Sequence, residues 1–232
     1  KYVKRIGAVF GQKSQLIWDI PPIDSFAMNK AIYGISNDDY EKRLKEMTAL
    51  FDIEEVIHKP TRVLSLGERM KCEFVMSMLH QPEIVFLDEP TIGLDVIAKA
   101  KIREVIGEMN RRGTTFILTT HDLEDVEQLA HRVIIINHGK KVFDDELQSL
   151  KSTLGNKKII TLSLAEDYTA KDLGGVEVIS GDNPRKISVE LDLDKQGIRE
   201  FLNSVNETVS FMDISIKELP MDRIITKIYN EE

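Results

Sequence analysis

Apolar positions at helical spacing mark two helices in the first third of the chain. A stripe of apolar residues recurs every three or four positions within 40–51, behind candidate N-terminal caps at Asn37 or Asp38. Further on, Ser65 and Glu68 have the spacing of a capping box, in which each side chain satisfies a free N–H group of the other residue. Apolar residues continue behind this pair. The pattern therefore predicts helices that begin near residues 38 and 65.

Short apolar runs between the helical stretches predict strands. The run from Ile84 to Leu87 is unbroken, which is typical of a strand buried on both faces of a parallel sheet. Helical patterns separate this run from the ones that follow it, and such an alternation indicates an α/β fold with a mostly parallel sheet. The predicted strands are 2–10, 84–87, 114–120 and 133–137.

The pattern changes after Asp144. Residues 146–156 are predicted to form a connecting helix, and apolar and polar residues then alternate strictly in 187–194, as in a half-buried strand of an antiparallel sheet. A helix, a strand and a last helix follow, in 195–205, 209–216 and from 221 onwards. We therefore predict two domains, 1–145 and 157–232, the second a small α+β domain with a ferredoxin-like order of elements.

Composition and charge exclude several classes of protein to which the chain could otherwise belong. The 232 residues are 42% hydrophobic, which excludes global disorder. Acidic residues outnumber basic ones by 39 to 31 and are spread along the chain, so the concentrated basic surface that binds nucleic acids is missing. The apolar runs are far shorter than the ~20 residues that cross a bilayer. Cys72 is the single cysteine, which excludes an internal disulfide, and the five histidines have no cysteine pairs to complete a structural zinc site.

Two consecutive carboxylates supply the strongest candidate chemistry. Asp88 and Glu89 end the buried strand, at the place where open α/β sheets bind ligands. A turn with two solvated acids would explain the pair equally well if it stood alone. Three other segments favour function: Leu64 to Glu68 precedes the pair by a helix, Gly93 to Asp95 follows it, and His121 ends the next strand.

In order and spacing, these segments resemble the motifs of the ATP-binding cassette (ABC) ATPases. The resemblance implies that the strand and its two acids are the Walker B segment and the catalytic Glu89. It implies that Leu64 to Glu68 is the signature sequence, that 93–95 is the D-loop, and that His121 is the switch histidine. Gln12 falls where the family has its Q-loop glutamine. The implied fold is an ABC-type P-loop NTPase core with a helical signature subdomain.

The resemblance also implies ATP and Mg²⁺ as ligands. Asp88 would hold Mg²⁺ through the ion's water shell, because Mg²⁺ dehydrates reluctantly, and Gln12 would complete the surroundings of the metal. Glu89 would polarise the attacking water, as a base or as a positioning group. His121 would contact the γ-phosphate and fix that water in place.

Ser65, Gly67 and Asp95 are implied to bind nucleotide as well. Ser65 and Gly67 begin a helix, whose free N–H groups and positive dipole end attract an anion. In the family this anion is the γ-phosphate held by the opposite subunit. A simpler interpretation stays open for each residue alone, since Ser65 and Asp95 would also serve as ordinary helix caps.

The chain departs from the family pattern in two ways. Its signature reads Leu-Ser-Leu-Gly-Glu instead of the common Leu-Ser-Gly-Gly-Gln, and together with Val9 to Leu16 and Asp24 to Phe26 it is similar to the bacterial branch associated with viologen and antibiotic export. No Gly-x-x-x-x-Gly-Lys-Ser/Thr loop occurs. The near match Gly7 to Ser14 has Gln12 where a glycine must let N–H groups approach the phosphates. We expect a truncated piece of a longer ATPase, inactive by itself.

The predicted function is that of the ATP-hydrolysing subunit of an ABC exporter. Its predicted partners are a second copy in a homodimer and a transmembrane permease subunit, through which alone it would contact the membrane. Its predicted location is the cytoplasmic face of that membrane. One alternative is a non-transport ABC ATPase of DNA repair or translation, which the even acidic charge disfavours. The other is a non-hydrolysing regulatory or dimerisation module, against which Glu89 and His121 argue.

Overall fold

A computed structural model of the chain describes residues 2–11, 13–152, 155–168, 172–173, 175–180 and 183–230. The chain divides into two compact units, Lys1–Leu129 and Ala130–Glu232. The division falls earlier than the predicted end of the first domain at residue 145. The bounds 1–145, 146–156 and 157–232 remain a prediction about domains that fold independently.

Within its described residues, the first unit combines one parallel sheet with five α-helices. The sheet holds β1 (Ile6–Phe10), β2 (Ile84–Asp88) and β3 (Thr115–Thr119) in that order, and both pairs of neighbouring strands are parallel. The helices are α1 (Pro22–Tyr33), α2 (Asn37–Phe51), α3 (Leu66–Met78), α4 (Val96–Arg111) and α5 (Leu123–Leu129). The predicted α/β core with a parallel sheet is confirmed.

The core of this unit lies between one face of the sheet and the helices. Val9, Val85 and Leu87 are fully or almost fully buried in one cluster with residues of α1 to α4. Phe51 of α2 and Phe74 of α3 pack within this cluster, with ring centroids 5.8 Å apart. Burial of these side chains fixes β2 against the helices and so sets the position of the acids at its end.

Two local predictions for this unit need correction. Ser36, and not Asn37 or Asp38, is the N-cap of α2, because its side chain accepts the hydrogen bond of the Asp39 N–H group at 3.2 Å. Helix α1 was not predicted at all. Its apolar residues do not gather on one face, and the signal it carries is Pro22 at its first position, where a missing N–H group costs nothing.

The second unit begins with a hairpin. Strands β4 (Arg132–Asn137) and β5 (Lys140–Glu146) pair antiparallel in a two-stranded sheet, so β4 does not continue the parallel sheet as the alternating pattern had suggested. The reason is the two-residue turn His138-Gly139, in which both residues have positive φ angles of 45° and 76°. Such a turn matches the twist of a tight hairpin. Helix α6 (Leu147–Ser152) follows, inside the predicted connecting helix.

An antiparallel sheet forms the rest of this unit. Its strands are β6 (Lys157–Leu164), β7 (Asp172–Leu173), β8 (Val176–Ser180), β9 (Lys186–Asp192) and β10 (Phe211–Glu218), in the order β10-β6-β9-β8-β7. Helix α7 (Ile198–Thr208) lies between β9 and β10, and α8 (Met221–Asn230) ends the described chain. Alternation in β9 is confirmed, since Ile187, Val189 and Leu191 are buried. The ferredoxin-like order stays a prediction, because the described residues between β6 and β8 form β7 and no helix.

Within the described ranges, no helix is both long and apolar enough to span a bilayer.

Candidate active site

The parallel register of β2 and β3 places the predicted catalytic residues side by side. Asp88 lies opposite Thr119 at the carboxyl ends of these strands, and the Thr119 hydroxyl donates a hydrogen bond of 2.6 Å to Asp88 Oδ1. The backbone N–H of Glu89 donates to the carbonyl of Thr119 at 2.9 Å, which extends the ladder by one residue. The turn after each strand therefore starts from a fixed position.

Glu89 and His121 meet across this edge of the sheet. His121 Nδ1 lies 2.9 Å from Glu89 Oε1, at hydrogen-bond distance. The imidazole is largely exposed, and the side chain of Glu89 is 26% exposed. The hydrogen bond to Glu89 and the negative charge of its carboxylate raise the pKa of His121. A base and a histidine that act together on one ligand would have this arrangement.

The backbone of Glu89 is unusual and is held by a close contact. Its φ angle is 50°, in the left-handed region that residues other than glycine seldom occupy. Gly11 passes directly against this turn: its N–H donates to the Asp88 carbonyl at 2.8 Å, and a Cβ atom at Gly11 would lie 2.1 Å from the Glu89 carbonyl oxygen. A glycine is therefore required at position 11.

The other predicted site residues form a second group at two helix N-termini. Ser65 caps α3 in a complete capping box with Glu68, and Asp95 caps α4 by accepting the Ala98 N–H at 2.8 Å. A Cβ atom at Gly67 would lie 3.0 Å from the Cβ of Ala98, so the two N-termini pack against each other. Across the described ranges, no hydrogen bond joins this group to Asp88, Glu89 or His121.

Gln12 lies outside the described residues. The segment that follows it is anchored to α3 by Glu73, whose side chain is 2% exposed. Glu73 Oε1 accepts hydrogen bonds from the Ser14 hydroxyl and from the N–H groups of Gln15 and Leu16. Burial raises the pKa of Glu73. Glu73 was not singled out from the sequence, where it is one more charge on a polar-looking helix.

Asp88 is the one predicted metal-binding residue that lies within the described ranges. Among the residues that the structure describes, no group of three His, Cys, Asp or Glu side chains is arranged to hold a metal ion. A single carboxylate suits Mg²⁺ that arrives with its waters and with substrate phosphates, since this ion seldom sits in an all-protein cage. The donor set therefore fits Mg²⁺ bound together with a nucleotide.

A buried cluster that no sequence motif marks lies behind the Glu89 turn and the His121 turn. It consists of Thr91, Arg103 and Asp125, all less than 9% exposed. Arg103 Nε donates to Asp125 Oδ1 at 2.6 Å, and the Thr91 hydroxyl donates to Asp125 Oδ2. The sequence contained one hint, since Arg103 directly follows Ile102 on the apolar side of α4, where a charge needs a partner.

The comparisons with known proteins agree with these motifs. A family model described as "AAA domain, putative AbiEii toxin, Type IV TA system" matches residues 21–125, which fits a P-loop NTPase core. A protein named "Putative ABC transporter ATP-binding protein" from Caldanaerobacter subterraneus subsp. tengcongensis is 29% identical over 160 residues, which cover 69% of this chain and 65% of that protein. The daunorubicin/doxorubicin resistance ATP-binding protein DrrA of Streptomyces peucetius is 26% identical over 230 residues, which cover 96% and 69%.

A solved structure supports the fold. It is described as the structure of an ATP binding subunit of an ABC transporter, and it matches with a TM-score of 0.60 and 23% identity over 66% of this chain and 64% of that chain. The relatives confirm the resemblance to the ABC ATPases, and this structure supports the fold alone. The chain spans about two thirds of the length of these relatives.

Proposed function

We propose that the protein to which this chain belongs hydrolyses ATP, with Glu89 as the catalytic base. The contact between Glu89 and His121 at 2.9 Å carries the proposal. It joins the ends of two neighbouring parallel strands, at the sheet edge where α/β proteins bind ligands. A carboxylate next to a histidine at this edge is suited to holding a water molecule and the phosphate that the water attacks.

Each residue of this edge has a distinct role in the proposed reaction. Glu89 accepts a hydrogen bond from the attacking water and draws its proton, as a general base must. His121 orients the Glu89 carboxylate and contributes positive charge when protonated, which favours the charge that develops on the γ-phosphate. Asp88, held by Thr119, would bind Mg²⁺ through water. The ion supplies charge neutralisation of the phosphates when it is bound.

Ser65, Gly67 and Asp95 are proposed to contact the nucleotide of a second copy of the protein. Support comes from α3, a helix of 13 residues whose N-terminus is capped by Ser65 and lacks a phosphate loop of its own. Gln12 itself is proposed to complete the surroundings of Mg²⁺.

The transport role rests on the relatives. Their printed names describe ATP-binding proteins of ABC transporters and of antibiotic resistance. We propose on that basis a peripheral subunit on the cytoplasmic face of a membrane, which powers export through a separate permease subunit. The second domain, for which the sequence predicts a ferredoxin-like order, is proposed as an accessory module.

The experiment that tests hydrolysis is a Glu89→Gln substitution in the native full-length protein. Turnover of ATP should fall by about 10² to 10⁴ while nucleotide binding is kept, because the amide cannot take the proton of water. Steady-state ATPase rates and calorimetric ATP binding measure the two properties. Glu41→Gln, an exposed position on α2, is the matched control and should leave the rate unchanged. Undiminished turnover in Glu89→Gln would remove this residue from the mechanism.

A further inference from the structure

Asp125 is a fully buried carboxylate that takes no part in the proposed chemistry. It lies in α5, and its exposed fraction is 0%. A carboxylate out of contact with water is costly unless charges and hydrogen-bond donors surround it. Arg103 of α4 supplies the charge, because its Nε donates to Asp125 Oδ1 at 2.6 Å and its side chain is itself only 8% exposed.

The second oxygen of this carboxylate joins the two catalytic loops. Asp125 Oδ2 accepts the hydroxyl of Thr91, and the hydroxyl of Thr120 lies 3.4 Å from the same oxygen. Thr91 comes two residues after Glu89, and Thr120 directly precedes His121. One oxygen atom therefore ties the turn that carries Glu89 to the turn that carries His121.

The link continues into α4 and α5. The guanidinium of Arg103 also lies 3.1 Å from Glu124 and 3.8 Å from Asp122, and Lys99 Nζ donates to Asp122 Oδ2 at 2.5 Å. The ion pairs of Asp122 with Lys99 and Arg103 attach the residue after His121 to α4. The charged network around Arg103 thus supports the Glu89 turn, whose backbone conformation costs energy.

We propose that Asp125, held by Arg103, is a positioning residue that keeps the Glu89 turn and the His121 turn in register through Thr91 and Thr120. The inference rests on the proposed function, because it gives the alignment of the Glu89 turn with the His121 turn a role in ATP hydrolysis. Loss of the link would separate Glu89 from His121 and misplace both groups relative to the phosphate. Binding of ATP, which depends on other contacts, would be largely kept.

The test compares Thr91→Val with Thr91→Ser in the native full-length protein. Valine removes the hydroxyl that reaches Asp125 and keeps the shape of the side chain, whereas serine keeps the hydroxyl. We expect Thr91→Val to lower kcat about tenfold and to change KM for ATP by less than about twofold, because small displacements of catalytic groups act on the reaction step. Thr91→Ser should restore most of the rate. Thr48→Val is the matched control: Thr48 is 3% exposed, and its hydroxyl donates to the Leu44 carbonyl within α2.

A second measurement separates positioning from a merely structural role. NMR titration of the His121 ring reports its contact with Glu89, which raises the His121 pKa above its ordinary value. In Thr91→Val the midpoint should fall towards that of an ordinary histidine, and in Thr48→Val it should not move.

The outcomes distinguish the two proposals. An unchanged His121 midpoint in Thr91→Val, or a rate equal to that of the unsubstituted protein, would overturn the positioning role. If the unsubstituted protein hydrolyses no ATP, the proposed function fails, and the His121 titration still decides whether the link through Asp125 holds the two turns together.

Discussion

At the scale of single residues, the site depends on a backbone contact more than on any side chain. Glu89 occupies the left-handed region with φ of 50°, a conformation that costs energy and persists because its surroundings enforce it. Gly11 provides part of that enforcement, since its N–H group binds the Asp88 carbonyl and its Cα passes against the Glu89 carbonyl. The lack of a side chain at position 11 is therefore a condition for the geometry of both acids.

Replacement of Gly11 by alanine should destabilise the protein. The new Cβ would lie 2.1 Å from a backbone oxygen that cannot rotate away, so β1 and the Glu89 turn must separate. We expect a loss of about 1–3 kcal/mol, the usual cost of overpacking. Gly107→Ala is the matched control, because nothing lies within 4 Å of its Cβ position inside α4, and it should stabilise by about 0.5–1 kcal/mol. Thermal unfolding of both variants measures the difference, and a shift of the same sign in both would contradict the prediction.

At the scale of elements, the N-terminus of α3 combines a cap with an acid. Ser65 accepts the Glu68 N–H at 3.2 Å, and Glu68 Oε2 accepts the Ser65 N–H at 2.8 Å. Hydrogen bonding from the backbone and the side chain of Ser65 to the carboxylate lowers the pKa of Glu68 below its ordinary value of 4.5. Glu68 is thus charged at neutral pH, at the helix end where negative charge is most favourable.

Substitution of Glu68 should lower the stability of the protein, because it disrupts the capping box. Glu68→Ala removes one half of the box and should cost about 1 kcal/mol, whereas Glu68→Gln keeps an oxygen acceptor and should cost less. Because the folded-state pKa is lowered, the contribution of the charge is present above the unfolded pKa of about 4.5 and is lost as pH falls through the folded value. Denaturant unfolding across this acid range should show the difference between the original protein and Glu68→Gln shrinking with falling pH. A constant or growing difference would argue against a role for the charge.

Periodicity predicted those elements whose apolar residues share one face or alternate. The capping box of α3 and the alternating strand β9 follow directly from local sequence, and both are present. Strand β2 is also present, but the prediction that both of its faces are buried is wrong, because Val85 and Leu87 are buried and Phe86 is 43% exposed. The apolar residues of helix α1 do not share one face, so no periodic pattern marks this helix. Strand β5 pairs with β4 through a turn that needs a positive φ angle at His138, and a histidine only weakly indicates such a turn. Pattern alone therefore failed where packing or a two-residue turn decides the structure.

At the scale of the whole molecule, contacts between distant residues were the least predictable part. The order of motifs indicated that Glu89 and His121 belong to one site, and the structure brings them to 2.9 Å. Nothing in local sequence joins Thr91 to Asp125 across 34 positions, because a buried ion network depends on the final packing of α4 against α5. The division into two compact units likewise depends on contacts between distant residues, and it assigns the hairpin β4–β5 to the second unit.

The second unit should fold by itself, and two fragments can locate its start. Among the described residues, its antiparallel sheet and α7 share a core of nine buried side chains, including Ile160, Leu162 and Phe201, none more than 2% exposed. We expect both the fragment 130–232 and the fragment 157–232 to unfold cooperatively on heating, the longer one at a higher temperature if the hairpin belongs to this fold.

Leu162→Ala should then destabilise either fragment by about 2–5 kcal/mol, the usual cost of removing a buried leucine side chain. Met212→Ala is the control, since this side chain is 72% exposed, and it should change stability by less than about 0.5 kcal/mol. Circular dichroism and amide dispersion in NMR spectra measure folding and its loss. If neither fragment shows a cooperative transition, the second unit depends on the first for its structure, and the predicted independent domain would be wrong. If the fragment 157–232 melts at the same temperature as the longer one, the hairpin adds nothing to this core, and the predicted boundary near residue 156 would mark where the accessory domain begins.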